Sequence, residues 1–229
     1  MKHFYFIKAF LFDKPHHGAR PAALLLFASM LICALSAQAP PQAHAAVPVF
    51  DIPANLTLCG EKVPLERRDV WEMMDFALVS NVYGHSRVTM WIKRAHRYFP
   101  YIEKKLKEKN MPDDLKYIVI AESDLKTYYD VSPAGAVGPW QFMEATAKRY
   151  GLRVDKYIDE RRNFERATDA ALNYLGDLHK RYKSWLLAAA AYNCGENRVS
   201  KNMGAQGVVS YFDLDLPQET ELYIFRILA

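Results

Sequence analysis

Glu122 stands at the end of an apolar stripe. Leu115, Ile118, Val119 and Glu122 fall at i, i+3, i+4 and i+7, so one helix face carries them all. Val119-Ile120-Ala121 immediately precedes the carboxyl, a surrounding poor in water. Desolvation disfavours the charged form and raises a carboxyl pKa. A carboxyl kept protonated near neutral pH can act as a general acid. The same position also suits a structural Glu paired with a buried Arg or a helix terminus, and this helix alone does not choose between them. Ten residues on, Ser132-Pro133-Ala134-Gly135-Ala136-Val137-Gly138-Pro139 forms a compact, turn-rich loop, followed by Trp140, Gln141 and Met143. Small residues let the backbone approach a ligand. Neutral hydrogen-bonding groups beside a flat apolar ring suit a sugar, whose faces are apolar and whose edges are hydroxyls and amides. Taken singly, Trp140 reads as core and Ser132 as a turn cap.

These residues need elements to position them. Asn110-Met111-Pro112-Asp113-Asp114 is a helix start, with Pro in the first turn and acids against the helix dipole. The loop is expected to return the chain to a helix carrying Trp140, Gln141 and Met143. Upstream, Pro64 opens a helical pattern with Val70, Met74, Ala77 and Asn81 on one face. Tyr83-Gly84-His85-Ser86 reads as a stop and a new cap. A second amphipathic helix follows through Val88, Trp91, Ile92, Ala95 and Phe99, and Pro100 is expected to kink or end it. Trp185 with the alanines of 188–191 reads as a buried helix. Asp159-Glu160-Arg161-Arg162 reads as a solvated or helix-capping charge cluster. No segment alternates with period two, and no phosphate-binding glycine loop or long repeat occurs. The expected fold class is all-α.

Composition narrows the function. The 229 residues are 51% hydrophobic and 24% charged, the balance of a globular chain rather than a disordered one. Thirty basic against 26 acidic residues give a net charge of +4, with no Lys/Arg stripe to suggest nucleic acid. Residues 1–45 read as an export signal: Lys2, Lys8, Lys14 and Arg20 precede an apolar stretch from Ala22 to Leu35, and Ala43-His44-Ala45 fits a cleavage site. An uncleaved leader is the alternative, and would associate the protein peripherally with a membrane. Loss of the leader removes four basic residues and one acidic residue, leaving +1. The expected location is periplasmic or elsewhere in the cell envelope. Cys33 lies in the leader, where Leu31 and Ile32 argue against lipidation. Cys59 and Cys194 then remain where disulfides are permitted, either as a bridge or as two buried thiols. The remainder divides into a linker (46–64), a helical region (65–110) and a catalytic domain (111–229).

The ordered set of motifs resembles the soluble-type lytic transglycosylase domain. It comprises Glu122-Ser123, the run from Ser132 to Met143, Thr146-Ala147, Tyr150-Gly151-Leu152, Asp159 to Arg162, Ala167-Thr168 and Tyr174-Leu175. It continues with Ala190-Ala191-Tyr192-Asn193 and Gly195, then Glu219-Thr220 and Tyr223. Within that family the motifs resemble the membrane-bound lytic murein transglycosylase D subgroup. The resemblance implies a lysozyme-like, all-α domain acting on peptidoglycan strands between N-acetylmuramic acid and N-acetylglucosamine, with 1,6-anhydro ends as product. It implies that Glu122 serves as both acid and base, with Ser132, Gln141 and Met143 along the glycan cleft. Tyr192 and Asn193 would stand beside the acid, with Glu219 at a further cleft position. It implies no metal and no cofactor, and leaves the oligomeric state open. Cys194 stands where the family usually has Ala, and the spacing from Glu122 to Ser132 is one residue longer than the family pattern. The chain shows no LysM-like repeat and stops soon after the last motif, which fits a fragment of a longer protein. Two rival functions are a goose-type lysozyme and a glycan-binding protein without turnover. The hydrolase wants a second carboxylate to activate water, from Asp130, Asp155 or Asp159.

Overall fold

The computed structural model describes residues 51–127 and 131–229. The expected leader and Asp130 lie outside the described residues. Among those described, helices dominate, and the β structure is one short hairpin with a few isolated bridges. In the hairpin, Thr57–Leu58 (β1) pairs antiparallel with Glu61–Lys62 (β2). Cys59 (φ 54°) and Gly60 (φ 80°) form its corner, both with the positive φ that a tight two-residue hairpin turn demands.

The helices are α1 (Arg68–Val82), α2 (His85–Glu108), α3 (Ile118–Ser123), α4 (Glu144–Arg149), α5 (Phe164–Tyr182), α6 (Trp185–Cys194), α7 (Glu196–Gln206), α8 (Gln218–Glu221) and α9 (Tyr223–Leu228). The centre is α6. Leu186 to Ala191 are buried all round it, as in a helix enclosed by its neighbours. Its alanines let α5 and α7 pack closely. Ser184 caps α6 by accepting the Leu187 amide at 3.2 Å. Glu61 in turn accepts from Ser184 Oγ at 2.7 Å and from the Trp185 amide, which ties the hairpin to the start of α6.

A second, smaller cluster gathers Val63, Val70, Met74 and Ala77 around Phe225. The last helix therefore serves two cores: Tyr223, Ile224 and Ile227 face the large one and Phe225 the small one. No helix among the described residues is long and apolar enough to cross a membrane.

Two expectations are corrected, and two open alternatives are narrowed. Pro100 neither ends nor divides its helix; α2 runs through it to Glu108. Proline removes one ladder donor, but Tyr98 and Phe99 before it and Ile102 and Leu106 after it pack on the same core and hold the helix across the gap. The segment expected to begin a helix at Asp113 opens instead as a 3₁₀ turn over Asp113–Tyr117, and α3 follows it. Trp140, Gln141 and Met143 lie on a turn ahead of α4 rather than on a helix. Gln141 takes a left-handed φ of 46°, and Val137 pairs with Phe142 across the turn. The Cys59–Cys194 bridge is not formed, and both thiols are free. The Cys59 amide donates to Asp114 at 2.7 Å, whereas Cys194 ends α6 beside Thr220, so the two have different neighbours.

Candidate active site

Glu122 is carried by α3, a helix of little more than one turn. Asp124, in the left-handed region at φ 55°, ends it. The buried Ser123 hydroxyl donates to the Pro139 carbonyl at 2.7 Å, pinning α3 to the turn that follows. Glu122 itself is half-buried, and the Tyr223 phenol donates to its Oε1 across 101 residues of sequence. Burial pushes the Glu122 pKa up to about 7. The phenol donation and the charge of Arg226 oppose that rise, and the charge of Glu219 adds to it. Tyr192, near enough to feel the Glu122 charge, keeps its own proton. Its phenol donates to the Trp140 carbonyl at 2.7 Å, and burial drives its pKa well above the ordinary value.

The turn is built to be stiff. Ser132 Oγ accepts the Ala136 amide at 3.0 Å, while the Ser132 amide donates to the Ala136 carbonyl at 2.8 Å. Gly138 has a φ of +84°, and a Cβ there would stand 1.9 Å from the Arg161 carbonyl oxygen, so only glycine fits. Arg161 forks onto Asp159 through two bonds of 2.8 Å and donates to the Phe142 carbonyl at 3.1 Å. The charge cluster, with solvated or helix-capping as its two readings, caps a 3₁₀ turn through Asp159 and includes a buried arginine that braces the turn of residues 132–143. Trp140 is fully buried, its indole donating to Thr168 Oγ1 at 2.9 Å, which is the core role read for it alone.

Glu122, Ser132 and Gln141 line one cleft of about 240 Å³, together with Val131, Lys126 and Arg226. Gln141 folds its amide nitrogen onto the Gly138 carbonyl at 2.8 Å. Glu219 is exposed on α8 and reaches Glu122 through its charge. Met143 is exposed beside the start of α4, outside that lining. Asn193 is also outside it: its side-chain carbonyl accepts from Thr220 Oγ1 at 2.8 Å, bracing α6 against α8. Two residues that act on Glu122 have no role legible in the sequence: Tyr223, buried behind it, is only the last letter of a motif, and Arg226, on the cleft, belongs to none. Their spacing of three was a usable signal, because it places both on one face of α9.

Two of the three carboxylates considered as water activators, Asp155 and Asp159, are otherwise engaged. Asp155 accepts the amides of Tyr157 and Ile158 and the Arg153 guanidinium, which together hold it at about 2. Asp159 is held low by Arg161. Asp124, on the cleft rim, accepts from the Trp91 indole at 2.7 Å and pairs with Lys126 at 3.2 Å. Among the described residues, no three His, Cys, Asp or Glu side chains gather as a metal site would require.

Comparison with known proteins agrees with this geometry. Residues 99–212 match the family described as the transglycosylase SLT domain. The membrane-bound lytic murein transglycosylase D of Escherichia coli strain K12 is 38% identical over 141 residues, covering 59% of this chain and 31% of that protein. The same-named protein of Escherichia coli O6:H1 matches to the same extent. A putative tributyltin chloride resistance protein from Alteromonas sp. strain M-1 is 37% identical over 112 residues, 48% of this chain and 54% of its own. The chain thus spans about a third to a half of the length of these curated relatives. The matched stretch contains Glu122, the whole of the stiff turn and Tyr192. Through residues 99–212, this chain belongs to the transglycosylase SLT domain family.

Proposed function

We propose that the protein is an exported peptidoglycan lytic transglycosylase, with Glu122 as its single acid and base. The observation that carries this reading is a half-buried carboxyl with a pKa of about 7, bonded to a phenol and facing a stiff, neutral turn across a narrow cleft. At neutral pH a large fraction of such a carboxyl is protonated. It gives its proton to the glycosidic oxygen, and the bond from that oxygen to C1 of the muramic residue breaks. The resulting carboxylate then takes the proton of the muramic C6 hydroxyl as that oxygen closes onto C1. A 1,6-anhydro end forms, no water is consumed, and Glu122 is protonated again.

The residues around the acid suit this cycle. The Tyr223 phenol steadies the carboxylate between the two transfers, and Tyr192 holds the Trp140 carbonyl so that the turn keeps its distance. Ser132 and Gln141 offer neutral groups to sugar hydroxyls and acetamides. Met143, Asn193 and Glu219 would extend the contacts or brace the walls. The reading is supported by the engagement of Asp155 and Asp159 elsewhere, which leaves neither poised to activate water.

The test is mass spectrometry of peptidoglycan digested by the wild-type chain and by Glu122→Gln. Anhydro-muramic ends, lighter by one water than reducing ends and absent with the variant, are expected. Reducing ends would transfer the protein to the hydrolases, and intact strands bound without cleavage would make it a binding protein.

A further inference from the structure

Arg226 lines the cleft, and the proposed cycle does not use its chemistry. It is exposed on α9, and its Nη2 donates to the Ala121 carbonyl at 2.8 Å, one residue ahead of the acid. Three concavities meet at it: the catalytic cleft of about 240 Å³, a hollow of about 190 Å³ and a long apolar groove of about 780 Å³ along α2. The charges of Glu122 and Glu219 lie in its neighbourhood. Yet among the described residues Arg226 closes onto no carboxylate at ion-pair distance, although guanidinium groups elsewhere in the chain do. A guanidinium tethered by one N–H, with the rest of its fork unused, is organised in advance for a planar anion.

We propose that Arg226 receives a carboxylate of the substrate, and so selects glycan strands that carry one beside the cleavage point. The inference rests on the peptidoglycan reading above and deepens it. Each muramic residue carries a lactyl group on C3. In a strand stripped of peptide, that group ends in a free carboxylate. In a peptide-bearing strand it is amidated, and the peptide supplies carboxylates of its own. Both sources present the same chemistry a short distance from the bond that breaks. Because the tether is to Ala121, a carboxylate seated on Arg226 is placed relative to Glu122 by a single peptide unit. The groove that opens at Arg226 is lined by Trp91, Ile92 and Phe99, which gives the apolar part of a peptide stem a surface to follow.

The experiment uses the full chain and three substrates: peptide-bearing strands, strands stripped of peptide, and stripped strands whose lactyl carboxyls are converted to methyl amides. The wild type is expected to show a KM about tenfold higher on the amidated strands than on the better carboxylated one. Arg226→Gln should raise KM by about the same factor on the carboxylated strand and not on the amidated one, while any change in kcat from losing its charge beside Glu122 should be the same on every strand. Arg226→Lys should restore part of the loss. Whichever carboxylated strand responds identifies the source. An equal rise in KM on all three strands would overturn the inference, as would a wild type indifferent to amidation, a result that needs no variant to fold. Binding of the same strands to Glu122→Gln, with and without Arg226→Gln, reads the inference apart from cleavage. If no strand is ever cut but the carboxylated ones still bind through Arg226, the catalytic reading fails and this one stands.

Discussion

The cleft has two walls made from different materials. The turn of residues 132–143 is neutral, and it is ordered by hydrogen bonds across Ser132 and Ala136, a glycine pressed on Arg161, and a buried Trp140 beneath. The opposite wall, from α8 and α9, is charged and aromatic, bringing Glu219, Tyr223 and Arg226 towards one carboxyl. The first wall fixes shape, and its failure is expected to cost stability. The second sets proton affinity and charge, and its failure is expected to cost rate, pH profile or substrate preference while the fold survives.

Between the walls, Glu122→Gln is the largest expected effect. It keeps shape but removes the transferable proton, so turnover should fall by roughly 10²–10⁴-fold with an unchanged circular dichroism spectrum. On the first wall, Gly138→Ala should destabilise the fold by about 3 kcal/mol, since neither the positive φ nor the Arg161 carbonyl can yield cheaply. A thermal melt checks this, and a variant as stable as wild type would mean the turn is softer than its packing indicates.

Stability against pH isolates Glu122 itself. Its folded pKa of about 7 lies above the ordinary 4.5, so the native state holds its proton more tightly than the unfolded chain does. That contribution is fully present below about pH 4.5 and is lost as pH rises through about 7. Denaturant titrations should show Glu122→Gln gaining about 2–3 kcal/mol relative to wild type between those limits. A constant difference would mean that the carboxyl is not desolvated.

On the second wall, Tyr223→Phe removes the donor that favours the carboxylate. The Glu122 pKa should rise, the alkaline limb of kcat/KM should move above its wild-type position near 7, and the rate should fall roughly tenfold. The smallest effect belongs to the brace between α6 and α8: Asn193→Ala should cost about 1 kcal/mol in a denaturant melt.

What could be read from sequence follows the same division. Glu122 was legible because a helix period put it at the end of an apolar run, and Ser132 and Gln141 because small and neutral residues crowd one short loop. The loop's shape was not legible: a left-handed Gln141 and a Val137–Phe142 bridge leave no periodic trace, so that stretch was read as helix. Pro100 does not end α2 for a related reason: local propensity gives way when both flanks pack on one core. Tyr223 and Arg226 were hardest, because their importance comes from a partner about a hundred residues away.

The same separation has a consequence for timing. Until the last helix has docked, with Phe225 seated among Val63, Val70 and Met74, Glu122 lacks both its phenol and its dry surroundings. A chain still being threaded or assembled carries a carboxyl of ordinary acidity, ionised at neutral pH and with no proton to give. The acid proposed here therefore exists only where α9 has docked, and every state in which that helix is loose lacks it.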